Sequence, residues 1–152
     1  MRSIKPALLL VLLAGCSLDE GMITLPVDGS RLEYHEGGWV DIVGEDGKAI
    51  LVHGTAVVTL GSLGTSGTQI SSDAKRERAI EMKEETDVLG RAVRLLVTVS
   101  GEGGEPDLVL RISAYPDGVF YTLKVNVRND TGLEIRAAKI SVLRVHNEAG
   151  GG

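Results

Sequence analysis

Apolar and polar residues alternate along most of the second half of the chain, and a period of two predicts strands. Val93, Leu95, Val97 and Val99 share one face, as do Leu108, Leu110, Ile112 and Ala114, and then Val119, Tyr121, Leu123, Val125 and Val127. The opposite side of the last run carries Thr122, Lys124, Asn126 and Arg128, so that strand is expected to be half solvated. Further on, Leu133, Ile135 and Ala137 keep one phase while Ile140 and Val142 keep the other. That slip predicts a β-bulge near Ala137-Ala138.

Turn chemistry separates these runs. Val43 to Lys48 divides a strand over Gly38–Val43 from one over Ala49–His53, and Ser100 to Pro106 divides another pair. Tyr115-Pro116-Asp117-Gly118 is the sharpest signal, because Pro presets φ and Gly accepts a positive one; Tyr115 reads as a turn residue. Arg128 to Gly132 is the next turn. Connections this short join antiparallel neighbours, so the expected fold is an all-β antiparallel sandwich. Ser72 to Asp87 leaves two forms open. Ala79, Ile80 and Met82 make no helical stripe, which favours a polar strand or long hairpin, but its good helix formers also suit a short exposed helix.

The first residues follow a different pattern. Arg2 and Lys5 precede the apolar run Ala7–Ala14, which is followed by Gly15-Cys16-Ser17, the order of a secretory signal peptide. The run is too short for a permanent spanning helix, which needs about 20 residues. Leu13-Ala14-Gly15-Cys16 resembles the lipobox of bacterial lipoproteins, where cleavage precedes a cysteine that receives a diacylglyceride and often palmitate. The other reading is an ordinary secretory signal or short anchor with a coincidental Cys16. The division is then signal peptide 1–15, tether 16–21, β-sandwich 22–145 and flexible tail 146–152. With a lipid on Cys16 the expected location is the cell envelope. That means the outer membrane facing the periplasm in a two-membrane cell, and otherwise the outer face of the cell membrane.

Cleavage takes the 16 basic residues to 14 against 21 acidic ones, and the formal charge from −5 to −7. Such a domain has no electrostatic footprint for nucleic acid. Cys16 is the one cysteine, so no disulfide within the chain is available and stability rests on the core.

Catalytic constellations are not evident. His35, His53 and His146 are far apart in sequence and in no metal-ligand spacing, so no metal or cofactor is expected. Gly61 to Thr68 is Gly-rich but lacks the Lys-Ser/Thr ending of a phosphate loop. Glu84, Glu85 and Asp87, and Glu102, Glu105 and Asp107, read as solvated carboxylates rather than a glycosidase pair. Trp39, with Tyr34 and His35 nearby, is the best candidate platform for a sugar. The competing reading packs Trp39 in the core or over a sheet edge.

Ser71-Ser72-Asp73 through Arg78, Thr86 through Arg91, and Asp107 through Asn129 together resemble the N-terminal β-sandwich of melibiase and raffinose-synthase type α-galactosidases. Those domains are themselves similar to the galactose-mutarotase supersandwich. The resemblance covers Val52 to Val145 and lies in strand patterning and a few turn residues. It implies a carbohydrate-binding or glycan-processing role and at most a partial supersandwich. That family's catalytic aspartates lie in a following (β/α)₈ barrel that has no counterpart here, so no catalytic residue carries over. Missing strands would leave edges open to oligomers or a protein partner. An adaptor lipoprotein and the front piece of a glycoside hydrolase are the alternatives to a stand-alone sugar-binding domain.

Overall fold

The computed structural model describes residues 16–19, 21–61 and 67–145. The signal segment 1–15, residues 62–66 of the Gly-rich loop and the tail 146–152 with His146 lie outside the described residues. Eleven strands and no helix make up the described chain: β1 (Ser17–Asp19), β2 (Met22–Val27), β3 (Ser30–His35), β4 (Val40–Gly44), β5 (Ala49–Leu60), β6 (Thr68–Ser71), β7 (Arg78–Asp87), β8 (Gly90–Val99), β9 (Asp107–Tyr115), β10 (Phe120–Arg128) and β11 (Ala137–Val145). They form two antiparallel sheets packed as a sandwich. One sheet has the order β1-β2-β3-β4-β5-β11, with β6 also paired to β5; the other has the order β10-β9-β8-β7.

The alternation read from the sequence becomes the core. Val93, Leu95, Val97 and Val99 of β8 and Leu108, Leu110, Ile112 and Ala114 of β9 are buried against Ile23, Leu25, Leu32, Tyr34, Val58 and Ile70 of the larger sheet. Burying each aliphatic side chain stabilises the fold by about 1.5–3 kcal/mol, which is why one face of every central strand is apolar. A hydrogen bond also crosses the sandwich, because the Tyr121 hydroxyl on β10 donates to Leu25 O on β2 at 3.2 Å.

Several sequence expectations change. Residues 72–87 are not helical; a turn and loop lead into β7, which pairs with β8 over its full length. Part of the expected tether is a short strand, β1, paired with β2. Val119 belongs to no strand face: it sits in the turn at φ 57° and is exposed. Tyr115 is the last residue of β9 and is buried, with its ring stacked on Phe120. The expected bulge is present as a register shift between Ala137 and Lys139, but Leu133 and Ile135 precede β11 and are not part of it.

The two sheets are joined where β6 leads into β7. The buried Ser72 hydroxyl accepts the Ala56 N–H at 3.0 Å, and the Ser72 N–H donates to Ala56 O at 2.8 Å. The Arg78 guanidinium then donates to Ser72 O, Ala74 O, Arg76 O and Gly37 O, tying the start of β7 to the β3–β4 turn. Gly38 in that turn has φ +96°, and a Cβ there would lie 1.9 Å from Ser72 O, so only glycine fits.

Candidate functional site

The β3–β4 hairpin and the neighbouring β5 place three rings side by side. Tyr34 and Val40 pair across the hairpin and point into the core, so the next pair, His35 and Trp39, points outward. The turn is tight: His35 N–H donates to Trp39 O at 2.9 Å and Gly38 N–H to His35 O at 2.8 Å. The edge of the Trp39 ring abuts Gly37, where a Cβ would meet it at 1.9 Å.

The third ring depends on a bulge in β5. Between the pairs Val40↔Gly54 and Ile42↔Leu51, β5 spends one residue more than β4, and His53 takes φ 52°. Such bulges re-aim a side chain. Here the imidazole of His53 stacks on Trp39 with centroids 4.8 Å apart, and that of His35 stacks at 4.9 Å. Both distances match the spacing of about 4.7–4.9 Å between neighbouring strands. The three rings thus form a ladder across β3, β4 and β5, with the indole between two imidazoles. The two histidines, 18 positions apart in sequence, share one site.

Carboxylates surround the ladder. His35 Nε2 donates to Asp41 Oδ2 at 2.8 Å, and Asp41 Oδ1 accepts the His53 backbone N–H at 2.6 Å. Asp73 lies 3.5 Å from His53 Nε2 and accepts the Ser71 hydroxyl. Burial pushes the Asp73 carboxyl up, but the Ser71 hydroxyl and His53 outweigh it and leave the group below its ordinary value. Glu33 stands directly opposite Asp41 in the hairpin register, and Arg31 Nε bonds it at 2.6 Å. The Ser71 proton goes to a carboxylate rather than an imidazole, which is not the arrangement of an activated nucleophile. The groups on offer are imidazole nitrogens, carboxylate oxygens and ring edges.

Of the three residues expected to form a sugar platform, Trp39 and His35 are together. Tyr34 is turned inward and is 1 % exposed; burial pushes its phenol up to about 12. Both faces of the indole are covered by imidazoles, so a ligand here meets the ladder's edges or the outer imidazole faces. His53 was missed by sequence spacing because it joins the site through strand register. Cys16 is buried in the core cluster at 8 % exposure, where burial and then the charge of Glu84 push its thiol up. An acylated sulfur would have to leave that position.

Within the acidic runs Glu85, Asp87, Glu105 and Asp107 are ion-paired rather than merely solvated. Arg94, largely buried, bridges Glu85 and Asp87, and Asp87 also accepts the Tyr115 hydroxyl at 2.7 Å. Arg76 pairs with Glu105 at 2.5 Å and Arg128 with Asp107 at 2.6 Å. These carboxylates brace turns and strand ends.

A second feature lies at the far edge of the larger sheet. Strand β11 carries Ile140, Val142, Leu143 and Val145, each 40–47 % exposed, and Ile50 and Val52 in the first half of β5 are also exposed. Lys139 and Arg144 stand among them. Register shifts between Ala137 and Lys139 and between Ser141 and Arg144 leave two short regular pieces of the ladder, Lys139–Ser141 and Arg144–Val145. Among the described residues no strand pairs with the outer edge of β11. No family model, curated protein or solved structure matches the chain.

Proposed function

We propose that this chain is a lipid-anchored, non-catalytic β-sandwich of the cell envelope that holds an acidic protein partner against strand β11. The observation carrying the partner is the row of half-exposed apolar side chains on that strand, set around Lys139 and Arg144 in a chain of formal net charge −5. Apolar side chains rimmed by charge suit a protein partner, and the cationic edge selects an acidic one. Two bulges interrupt the ladder, so the contact is made by side chains and not by adding a long strand. The anchor rests on the lipobox-like Leu13-Ala14-Gly15-Cys16.

A photo-crosslinking residue in place of Val142, in cells, tests the partner. The expected product is one protein joined through an acidic segment, lost when Lys139 and Arg144 are both changed to Glu. Crosslinks to a second copy of the chain, or a product that survives the double change, would overturn it. The anchor is tested separately with an alkyne fatty acid, which should label the wild type and not Cys16→Ala.

A second reading keeps the glycan class implied by the resemblance to α-galactosidase sandwiches. The clustering of imidazoles and carboxylates about Trp39 favours it, since such groups bracket sugar hydroxyls. A glycan array should then give hits that His35→Ala and His53→Ala abolish; silence from the folded wild type removes this reading.

A further inference from the structure

We propose that Glu33, His35 and Asp41 bind one divalent metal ion of the Zn²⁺, Ni²⁺ or Cu²⁺ class on the outward face of the β3–β4 hairpin. The inference is independent of both readings above and requires neither a partner nor a glycan.

One donor atom from each residue lies within 4.8 Å of the other two. The three are held by hydrogen-bonded strands, Glu33 opposite Asp41 and His35 diagonal to it, so their convergence is built into the hairpin rather than into mobile side chains. His35 is oriented by its stack on Trp39, with Nε2 directed at Asp41. Asp41 is fixed through its other oxygen by the His53 N–H. Outer hydrogen bonds of this kind orient ligands in metal sites.

The distances need little adjustment. Tetrahedral ligands at about 2.0–2.1 Å from zinc stand about 3.3 Å from one another. The His35–Asp41 pair at 2.8 Å therefore has to open by roughly half an ångström, and the torsions of Glu33 bring in the third donor. Nε2 gives up the proton it shares with Asp41 to solvent as the ring takes the Nδ1–H tautomer. His35 and Asp41 side chains are 23 % and 21 % exposed, which admits an ion and leaves a position for water or another ligand. The donor set selects the metal. Calcium and magnesium take oxygen ligands, while imidazole with carboxylates suits zinc, nickel and copper.

Arg31 is the competing cation, since its Nε holds Glu33 Oε1 at 2.6 Å. It is 45 % exposed, and such surface pairs contribute little. A divalent ion displaces it.

The test is a titration of the full chain, stripped with EDTA and desalted, with Zn²⁺ and Ni²⁺ by calorimetry. Trp39 is the one tryptophan and stacks on the proposed ligand, so Ni²⁺ should also quench its emission. One equivalent should bind, Glu33→Gln and His35→Ala should each weaken binding by about tenfold or more, and Arg31→Ala should tighten it several-fold. Millimolar Ca²⁺ should not compete. Glu33→Gln keeps the side-chain shape, so a loss of binding in that variant with an unchanged melting temperature cannot be ascribed to misfolding. No saturable binding by the wild type, or binding unchanged in both weakening variants, would overturn the proposal.

Discussion

Asp41 Oδ1 accepts the backbone N–H of His53 at 2.6 Å, and His53 sits at φ 52°, a left-handed conformation that non-glycine residues rarely adopt. That backbone state costs on the order of 1–3 kcal/mol and persists where its surroundings enforce it. Asp41→Ala is expected to lower stability by about 1–3 kcal/mol in urea unfolding and to shift Trp39 emission as the His53 ring leaves the stack. Glycine tolerates the conformation, so Asp41→Ala should cost clearly less in a His53→Gly background. Equal costs in the two backgrounds would show that the carboxylate does not support the bulge.

Arg78 donates to four backbone carbonyls and so holds the β6–β7 loop against the β3–β4 turn. Arg78→Ala should cost about 2–4 kcal/mol, because several part-buried carbonyls lose a charged donor together. Arg78→Lys should recover less than half of this, since an ammonium cannot reproduce the planar fork. Gly38→Ala should be comparably damaging through its clash with Ser72 O. Thermal unfolding of the three variants checks the set.

The Tyr34 hydroxyl is buried and has no hydrogen-bond partner among the described residues. Its folded-state pKa of about 12 lies above the ordinary 10.0, so the folded protein retains the proton that the unfolded chain gives up. Stability from this group is complete below pH 10 and declines as pH rises from 10 toward about 12. A two-unit difference corresponds to about 2–3 kcal/mol. Tyr34→Phe should remove that alkaline loss and, near neutral pH, stabilise by about 1 kcal/mol by eliminating an unsatisfied group. Urea unfolding at neutral and alkaline pH measures both.

At the acid end, the backbone N–H of Gly101 and then Arg128 hold the Asp107 carboxyl below its ordinary value. The Tyr115 hydroxyl and then the Leu89 N–H do the same for Asp87. A depressed folded-state pKa contributes stability above the unfolded value, near 3.8, and loses it as pH falls through the folded value. Stability should therefore decline as pH falls below about 4. Asp107→Asn should be less stable than wild type at neutral pH and show a shallower acid decline; parallel curves would contradict the assignment.

The strands most legible in the sequence, β8 and β9, bury one whole face, so their apolar residues alternate without interruption. β7 was harder to read because it is an edge strand whose contact with the core is limited to Ile80 and Met82. In β5 the bulge at His53 shifts the phase, and the five residues from Gly54 to Val58 are all buried, so periodicity fails on both counts. The candidate site was half legible. His35 and Trp39 are neighbours across a visible turn, whereas His53 and Asp73 arrive through register and a loop whose position depends on Arg78. The covering of both indole faces follows from strand spacing, which residue types alone do not convey.

The two irregularities in β11 also bear on how copies of this chain meet one another. An unpaired sheet edge is a template for stacking further strands, and a regular one of nine residues would seed fibres. Here the longest regular stretch is three residues and begins at a lysine. A copy approaching in register would gain only a few backbone bonds before the bulges turned the donors and acceptors away, and it would bring Lys139 and Arg144 close to their own counterparts. The strand can therefore show apolar side chains at high local concentration without polymerising.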